Sequence, residues 1–243
     1  MSKYRVTVDT GGTFSDFVFF NEDTGEITIT KVPSTPREPF QAVLNGVGEL
    51  VDQGVPAGEI SFFCHGTTVG TNALLEEKGA KTGLLVTQGF RGIYEVMEQT
   101  RGYGPATYDL FFEKPRLLAP PYYTEEIPER VDFRGNALQS IDVDASREAI
   151  QRLKKKGVHS VAVCLLFSFL NPDHELKIKE LFAEGFPEAR LSLSYEVLPQ
   201  IREFYRLSTT VINAYIQPVM ASYLSRLETR MRELGVATPK LYI

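Results

Sequence analysis

The sequence predicts an α/β protein that begins on a mixed sheet and continues into a second α/β unit. Three features of the 243 residues point there. Three short strand-like runs follow one another at the N-terminus, helix-spaced and strand-spaced apolar stretches then alternate, and the alternation resumes after an aromatic, proline-rich interval.

Residues 4 to 8 alternate and reach Asp9, a strand ending at Gly11-Gly12. Phe14 to Phe20 reads as a second strand, and a third alternates from Glu26 to Val32 after the turn Asn21-Glu22-Asp23-Thr24-Gly25. Phe40, Val43, Leu44, Val47, Leu50 and Val51 fall at helix spacing within residues 36–53. Ile60–Cys64 is a short apolar strand, Thr68–Lys78 a helix ending at Gly79, Thr82–Thr87 a buried strand, and a short helical piece runs through Met97. Together these define an expected subdomain over residues 1–98. Residues 99–130, rich in proline and tyrosine, read as an ordered loop or insertion.

Residues 131–243 form the expected second α/β region. It holds a helix over Asp144–Lys156, a buried strand over Val158–Phe167 and a helix started by Asn171-Pro172-Asp173, with Asn171 as the N-cap. A short strand at Leu191–Leu193 precedes a helical stretch over Pro199–Leu234 that is expected to break near Pro218. The final residues, Pro239 to Ile243, read as a strand just starting, which suggests a truncated chain.

Composition narrows the function classes. Apolar residues at 43% and charged residues at 23% are ordinary globular usage. A formal charge of −5 gives no basic field for nucleic acid or an anionic membrane. Cys64 and Cys164 lie in apolar runs without metal-ligand spacing and read as buried thiols of a reducing compartment. No signal-peptide core follows Met1, and no apolar run approaches the ~20 residues that span a bilayer, so a cytoplasmic location is expected.

Asp9-Thr10-Gly11-Gly12-Thr13, with Asp16 beyond, carries the strongest chemistry. Two glycines between strands let the backbone approach a phosphate, Thr10 and Thr13 add hydroxyl donors, and Asp9 is the candidate Mg²⁺ ligand, through water. The alternative is a plain hairpin. Cys64-His65-Gly66-Thr67-Thr68-Val69-Gly70-Thr71-Asn72 leaves a buried strand for a helix, an edge where α/β sheets bind ligands. His65, Thr67, Thr68 and Asn72 are candidate catalytic residues there, against the alternative of Thr67 as an N-cap and His65 as a neighbour of the core. Arg91 and Arg101 flank the aromatic loop, where Arg101 could clamp a carboxylate or phosphate, or merely pin the loop. The charges from Glu196 to Arg206 read as a solvated face, and His159 and His174 receive no role.

The Asp9–Asp16 block resembles the start of the actin/hexokinase-like (ribonuclease H-like) ATPase fold. His65-Gly66-Thr67-Thr68-Val69-Gly70-Thr71-Asn72-Ala73-Leu74-Leu75, Gly89-Phe90-Arg91, Pro128-Glu129-Arg130-Val131, Val161 to Ser168, Ser194 to Pro199 and Ser208 to Tyr215 sharpen it. In that order they resemble the hydantoinase A / 5-oxoprolinase family, with the related subunits of acetone and acetophenone carboxylases. The resemblance implies ATP and Mg²⁺ as cofactors, a small amide, imide or ketone substrate, and a B-type partner subunit or domain. It implies phosphate and Mg²⁺ handling by Asp9, Thr10, Gly11, Gly12, Thr13 and Asp16, with the His65–Asn72 block near the transferred group. Ring-opening hydrolysis of a cyclic amide is the first expectation, a ketone carboxylase subunit the second, and a non-catalytic assembly module the third. Two positions depart from the family pattern: Ser15, where Thr is expected, and Gly70, where Ala or Ser is expected. Family members are also far longer, with a second ATPase lobe beyond the point that Ile243 reaches.

Overall fold

The computed structural model describes residues 4–35, 38–97, 108–111, 113–236, 238 and 241–243. In chain order its strands and helices are β1 (Tyr4–Thr10), β2 (Phe14–Asn21), β3 (Ile27–Pro33), α1 (Pro39–Asp52), β4 (Ile60–Thr67), α2 (Val69–Leu75), β5 (Thr82–Thr87), α3 (Ile93–Val96) and β6 (Thr124–Ile127). They continue with β7 (Arg130–Val131), β8 (Ala137–Gln139), α4 (Val143–Lys155), β9 (Ser160–Cys164), α5 (Asp173–Gly185), β10 (Arg190–Leu193), α6 (Ser194–Val197), α7 (Glu203–Glu233) and β11 (Leu241–Tyr242). Among the described residues no helix is long and apolar enough to cross a membrane.

The contacts divide the chain into two units: Met1–Lys78 with Val219–Ile243, and Gly79–Pro218. This differs from a boundary after residue 98. The reason is β5, whose six residues are all buried and which pairs in parallel with both β6 and β9. Such a strand needs cover on both faces and belongs at the centre of the second sheet.

The first unit holds a five-stranded mixed sheet in the order β11-β4-β1-β2-β3. β1 pairs antiparallel with β2 and parallel with β4. Alternation sends Val6 and Val8 of β1 and Phe17 and Phe19 of β2 to one face. There they meet Phe40, Val43, Val47 and Leu50 of α1 and Tyr223, Leu227 and Met231 of α7 in one core. Each such apolar side chain contributes roughly 1.5–3 kcal/mol on burial.

The second unit is built on the sheet β10-β9-β5-β6 with a β7–β8 hairpin. β6 lies inside the stretch expected to be loop. Its Glu125 is buried yet satisfied by Lys156 at 2.6 Å and Arg152 at 2.9 Å, which together hold its carboxyl below the usual carboxylate range against the opposing pull of burial. Arg91 donates to the Pro121 carbonyl at 2.8 Å and so pins that stretch. Asn171 Oδ1 accepts from the Asp173 amide, although Pro172 takes the N-cap position of α5.

Three sequence expectations give way to packing. α7 runs through Pro218 as one helix. The proline costs about 3 kcal/mol, but Leu207, Val211 and Ala214 anchor the helix in one core and Tyr223, Leu227 and Met231 in the other. Arg206 is fully buried rather than solvated, donating to the Leu165 and Gln200 carbonyls at 2.9 Å each. His174 bonds the buried Glu129 at 2.7 Å, and Glu129 also accepts from Thr87.

Gly46 of α1 lies over the fully buried Phe17 ring, and a Cβ there would fall 2.1 Å from Phe17 Cζ. Gly→Ala in a helix normally stabilises by up to about 1 kcal/mol. Here the overlap with a ring that has nowhere to move wins, so Gly46→Ala is expected to destabilise by about 1–3 kcal/mol in denaturant unfolding. A gain in stability would show that α1 does not pack on β2 this closely.

Candidate functional site

The ends of three strands meet in the first unit. In the register of β1, Asp9 lies opposite Asp16 of β2 and Gly66 of β4, and Thr10 lies opposite Ser15 and Thr67. One step of the sheet thus sets three hydroxyl residues side by side, two from one hairpin and the third from β4. The step before it carries two carboxylates and a glycine. Asp16 pairs with Lys31 at 3.2 Å, an exposed pair of small energetic weight. Asp9 makes no ion pair with any described residue, and its Oδ1 lies 3.1 Å from where a Cβ on Gly66 would stand, a close approach that glycine allows without any shift of the carboxylate.

The turn beyond β1 is held from several sides. The Gly11 amide donates to the Phe14 carbonyl at 3.0 Å, and the Ser34 amide donates to the Thr13 carbonyl at 2.9 Å. Ser34 Oγ donates to the Gly11 carbonyl at 2.9 Å. Nothing stands within 4 Å of a Cβ built on Gly12, so the turn presents open backbone. A ligand could approach closely there.

A pocket of about 300 Å³ opens on this turn, lined by Thr10, Gly11, Gly12, Thr67, Thr68 and Asn72 among others. The two sequence motifs are therefore walls of one cavity. Thr67 Oγ1 accepts from the Val69 amide at 3.3 Å, Thr68 holds the N-cap position of α2, and Asn72 Nδ2 donates to Thr68 Oγ1 at 3.3 Å. Asp9, Thr13, Asp16 and His65 do not line the cavity among the described residues, and Arg101 lies outside them. Ser34, Thr35, Glu76 and Lys78 line it without having been marked by any motif. Ser34 and Thr35 follow a strand end, where the sole sequence signal was polarity after alternation.

His65 stands behind the pocket. It is fully buried on the face shared with Phe63 and Thr67, its Nε2 hydrogen-bonded to the Tyr223 hydroxyl from α7 and its Nδ1 without a hydrogen bond. Burial lowers its pKa, outweighing the Val8 carbonyl and the Asp9 carboxylate, which raise it. A histidine with a lowered folded pKa resists protonation that the unfolded chain accepts. The stability it allows is therefore complete above 6.5, its ordinary value, and is lost as pH falls towards the folded value. Denaturant unfolding of the wild type is expected to lose up to about 1.4 kcal/mol per pH unit over that window from this group. His65→Asn should flatten the profile by that amount, and an unchanged slope would show that His65 is not held neutral.

Comparison with known proteins gives the chain's family. Residues 5–186 match the model of the hydantoinase/oxoprolinase N-terminal region. The chain is 35% identical over 249 residues to the caprolactamase subunit alpha of Pseudomonas jessenii, covering 100% of this chain and 36% of that protein. It is 30% identical over 247 residues to the acetophenone carboxylase gamma subunit of Aromatoleum aromaticum, covering 95% of this chain and 33% of that one. The crystal structure of the ATP-dependent caprolactamase from Pseudomonas jessenii superposes with a TM-score of 0.89 at 33% identity, over 98% of this chain and 35% of that chain. The chain spans about a third of the length of these relatives. With three quarters of its residues inside the family match and a fold that follows the caprolactamase structure throughout, the chain belongs to the hydantoinase/oxoprolinase family.

Proposed function

We propose that this chain forms the phosphate-binding part of an ATP-dependent enzyme that opens a cyclic amide or imide. The observation that carries the reading is the pocket shared by the Thr10–Gly12 turn and the Thr67–Asn72 block. The β1–β2–β3 meander with β4 parallel to β1 supports the actin/hexokinase-like form of the fold.

The donor set suits Mg·ATP. Hydroxyls of Thr10, Thr67 and Thr68 and open backbone at Gly12 are what phosphate oxygens need. Lys78 is the one cation among the described lining residues, and it already faces Glu76 at 2.5 Å. Phosphate charge therefore calls for a metal. No cluster of three or more His, Cys, Asp or Glu among the described residues could hold an ion alone. That suits Mg²⁺, which keeps waters and phosphate oxygens in its shell and needs only a carboxylate such as Asp9. Bound Mg·ATP supplies a phosphoryl group that can activate a carbonyl oxygen. The chain's own part is to grip the phosphates with Thr10, Gly11 and Gly12 and to offer hydroxyl donors from Thr67 and Thr68 where charge develops. Thr13 closes the turn, Asp16 balances Lys31 beside Asp9, and His65 holds β4 in place from the core. Asn72 steadies Thr68, and Arg101 is the candidate anion clamp. Hydrolysis would be completed with a B-type partner, in keeping with relatives named as subunits.

A second reading, the ATPase subunit of a ketone carboxylase, rests on the similarity to the acetophenone carboxylase gamma subunit. Turnover of ATP that depends on hydantoin, 5-oxoproline or a lactam supports the first reading, and turnover that needs a ketone with bicarbonate supports the second. Absence of Mg·ATP binding supports an assembly module instead. In either enzyme Asp9→Ala is expected to lower ATP turnover at least about 100-fold with an unchanged melting temperature. Unaltered turnover would remove Asp9 from the site.

A further inference from the structure

Ser34 belongs to none of the sequence motifs, yet it touches the phosphate turn twice, through its amide on the Thr13 carbonyl and its hydroxyl on the Gly11 carbonyl, both at 2.9 Å. Its Oγ also lies 3.2 Å from Ser15 Oγ. Ser15 is fully buried and donates to Thr10 Oγ1 at 3.1 Å. A continuous line of oxygens therefore runs from Thr10 through Ser15 and Ser34 to the Gly11 carbonyl.

Each hydroxyl has one proton to give. The Gly11 carbonyl has none, so Ser34 must give it one. Ser15 gives its proton to Thr10, which leaves the 3.2 Å contact between Ser15 and Ser34 without a proton. Thr10 then has no use for its own proton on the Ser15 side, and Thr10 lines the pocket. We propose that Ser34 and Ser15 are positioning residues of the phosphate site: Ser34 fixes the Gly11 peptide, and Ser15 turns the Thr10 hydroxyl proton into the pocket. The proposal rests on the pocket being the phosphate site described above. The opposite order of donation, from Thr10 through Ser15 and Ser34 to Gly11, fills every link with a proton but spends the Thr10 proton inside the protein and makes Thr10 a poor donor to an anion. The two orders predict different energetics.

The test is Mg·ATP affinity of the full chain by calorimetry, with thermal melting as the folding control. Ser34→Ala should weaken binding about five- to tenfold, the size of one hydrogen bond, and Ser34→Thr, which keeps the hydroxyl, should restore it. Thr10→Val and Ser15→Ala should each weaken binding, and the double variant should bind no worse than Thr10→Val alone, because Ser15 acts through Thr10. A structural role for Ser15 would instead give losses that multiply, and that result overturns the proposal. So does a Ser34→Ala protein that binds like the wild type, or a Ser34→Thr protein as weak as Ser34→Ala. Should Ser34→Ala fail to fold, the Ser15 and Thr10 pair decides alone. A wild-type protein that does not bind Mg·ATP at all sinks the phosphate reading itself, a different failure from wild-type binding with uncoupled variants.

Discussion

The register of β1 is the constraint on which the site depends. Among the described residues β1 is the strand that pairs with both motif-bearing neighbours, antiparallel to β2 and parallel to β4. That pairing brings Thr10, Ser15 and Thr67 into one row and Asp9, Asp16 and Gly66 into the next. A slip by one residue would turn Val6 and Val8 out of the core and carry Thr10 to the opposite face. The apolar core under the sheet, including Phe17 against α1 and Tyr223 from α7, thereby sets the chemistry at its end.

The polar groups near the pocket divide by what they face. Thr10, Ser34, Thr67 and Thr68 line the cavity, while Ser15 and His65 are fully buried behind it and reach it only through neighbours. Buried polar groups of this kind hold geometry when satisfied and cost stability when not. Among the described residues, the Nδ1 of His65 has no hydrogen-bond partner and the Asp9 carboxylate makes no ion pair. One faces the core and the other faces solvent beside the turn.

Much of the fold was legible in the residues. Alternation located β1, β2 and β3, helix spacing located α1, and unbroken apolar runs located β5 and β9. β6 escaped because Thr124-Glu125-Glu126-Ile127 is half acidic, and the arginine and lysine that make Glu125 tolerable come from a distant helix. The continuity of α7 escaped because local propensity disfavours an internal proline and tertiary anchoring overrides it. Arg206 reads as solvent-facing from its charged neighbours, whereas its partners are the carbonyl of remote Leu165 and that of Gln200 just before α7. The site followed the same division. The turn and the His65–Asn72 block each declared themselves by residue type, but their adjacency is a property of sheet order. Ser34 carried no motif at all, since its role is defined by the Gly11 carbonyl it meets.

If the turn and the Thr67–Asn72 block form one anion site, both respond to the same ligand. Backbone amide shifts of the isotope-labelled protein, followed during titration with Mg·ATP or a non-hydrolysable analogue, test it most directly. Gly11–Thr13 and Thr67–Asn72 are expected to shift together along a single binding isotherm. Shifts confined to one motif, or different apparent affinities at the two, would contradict it.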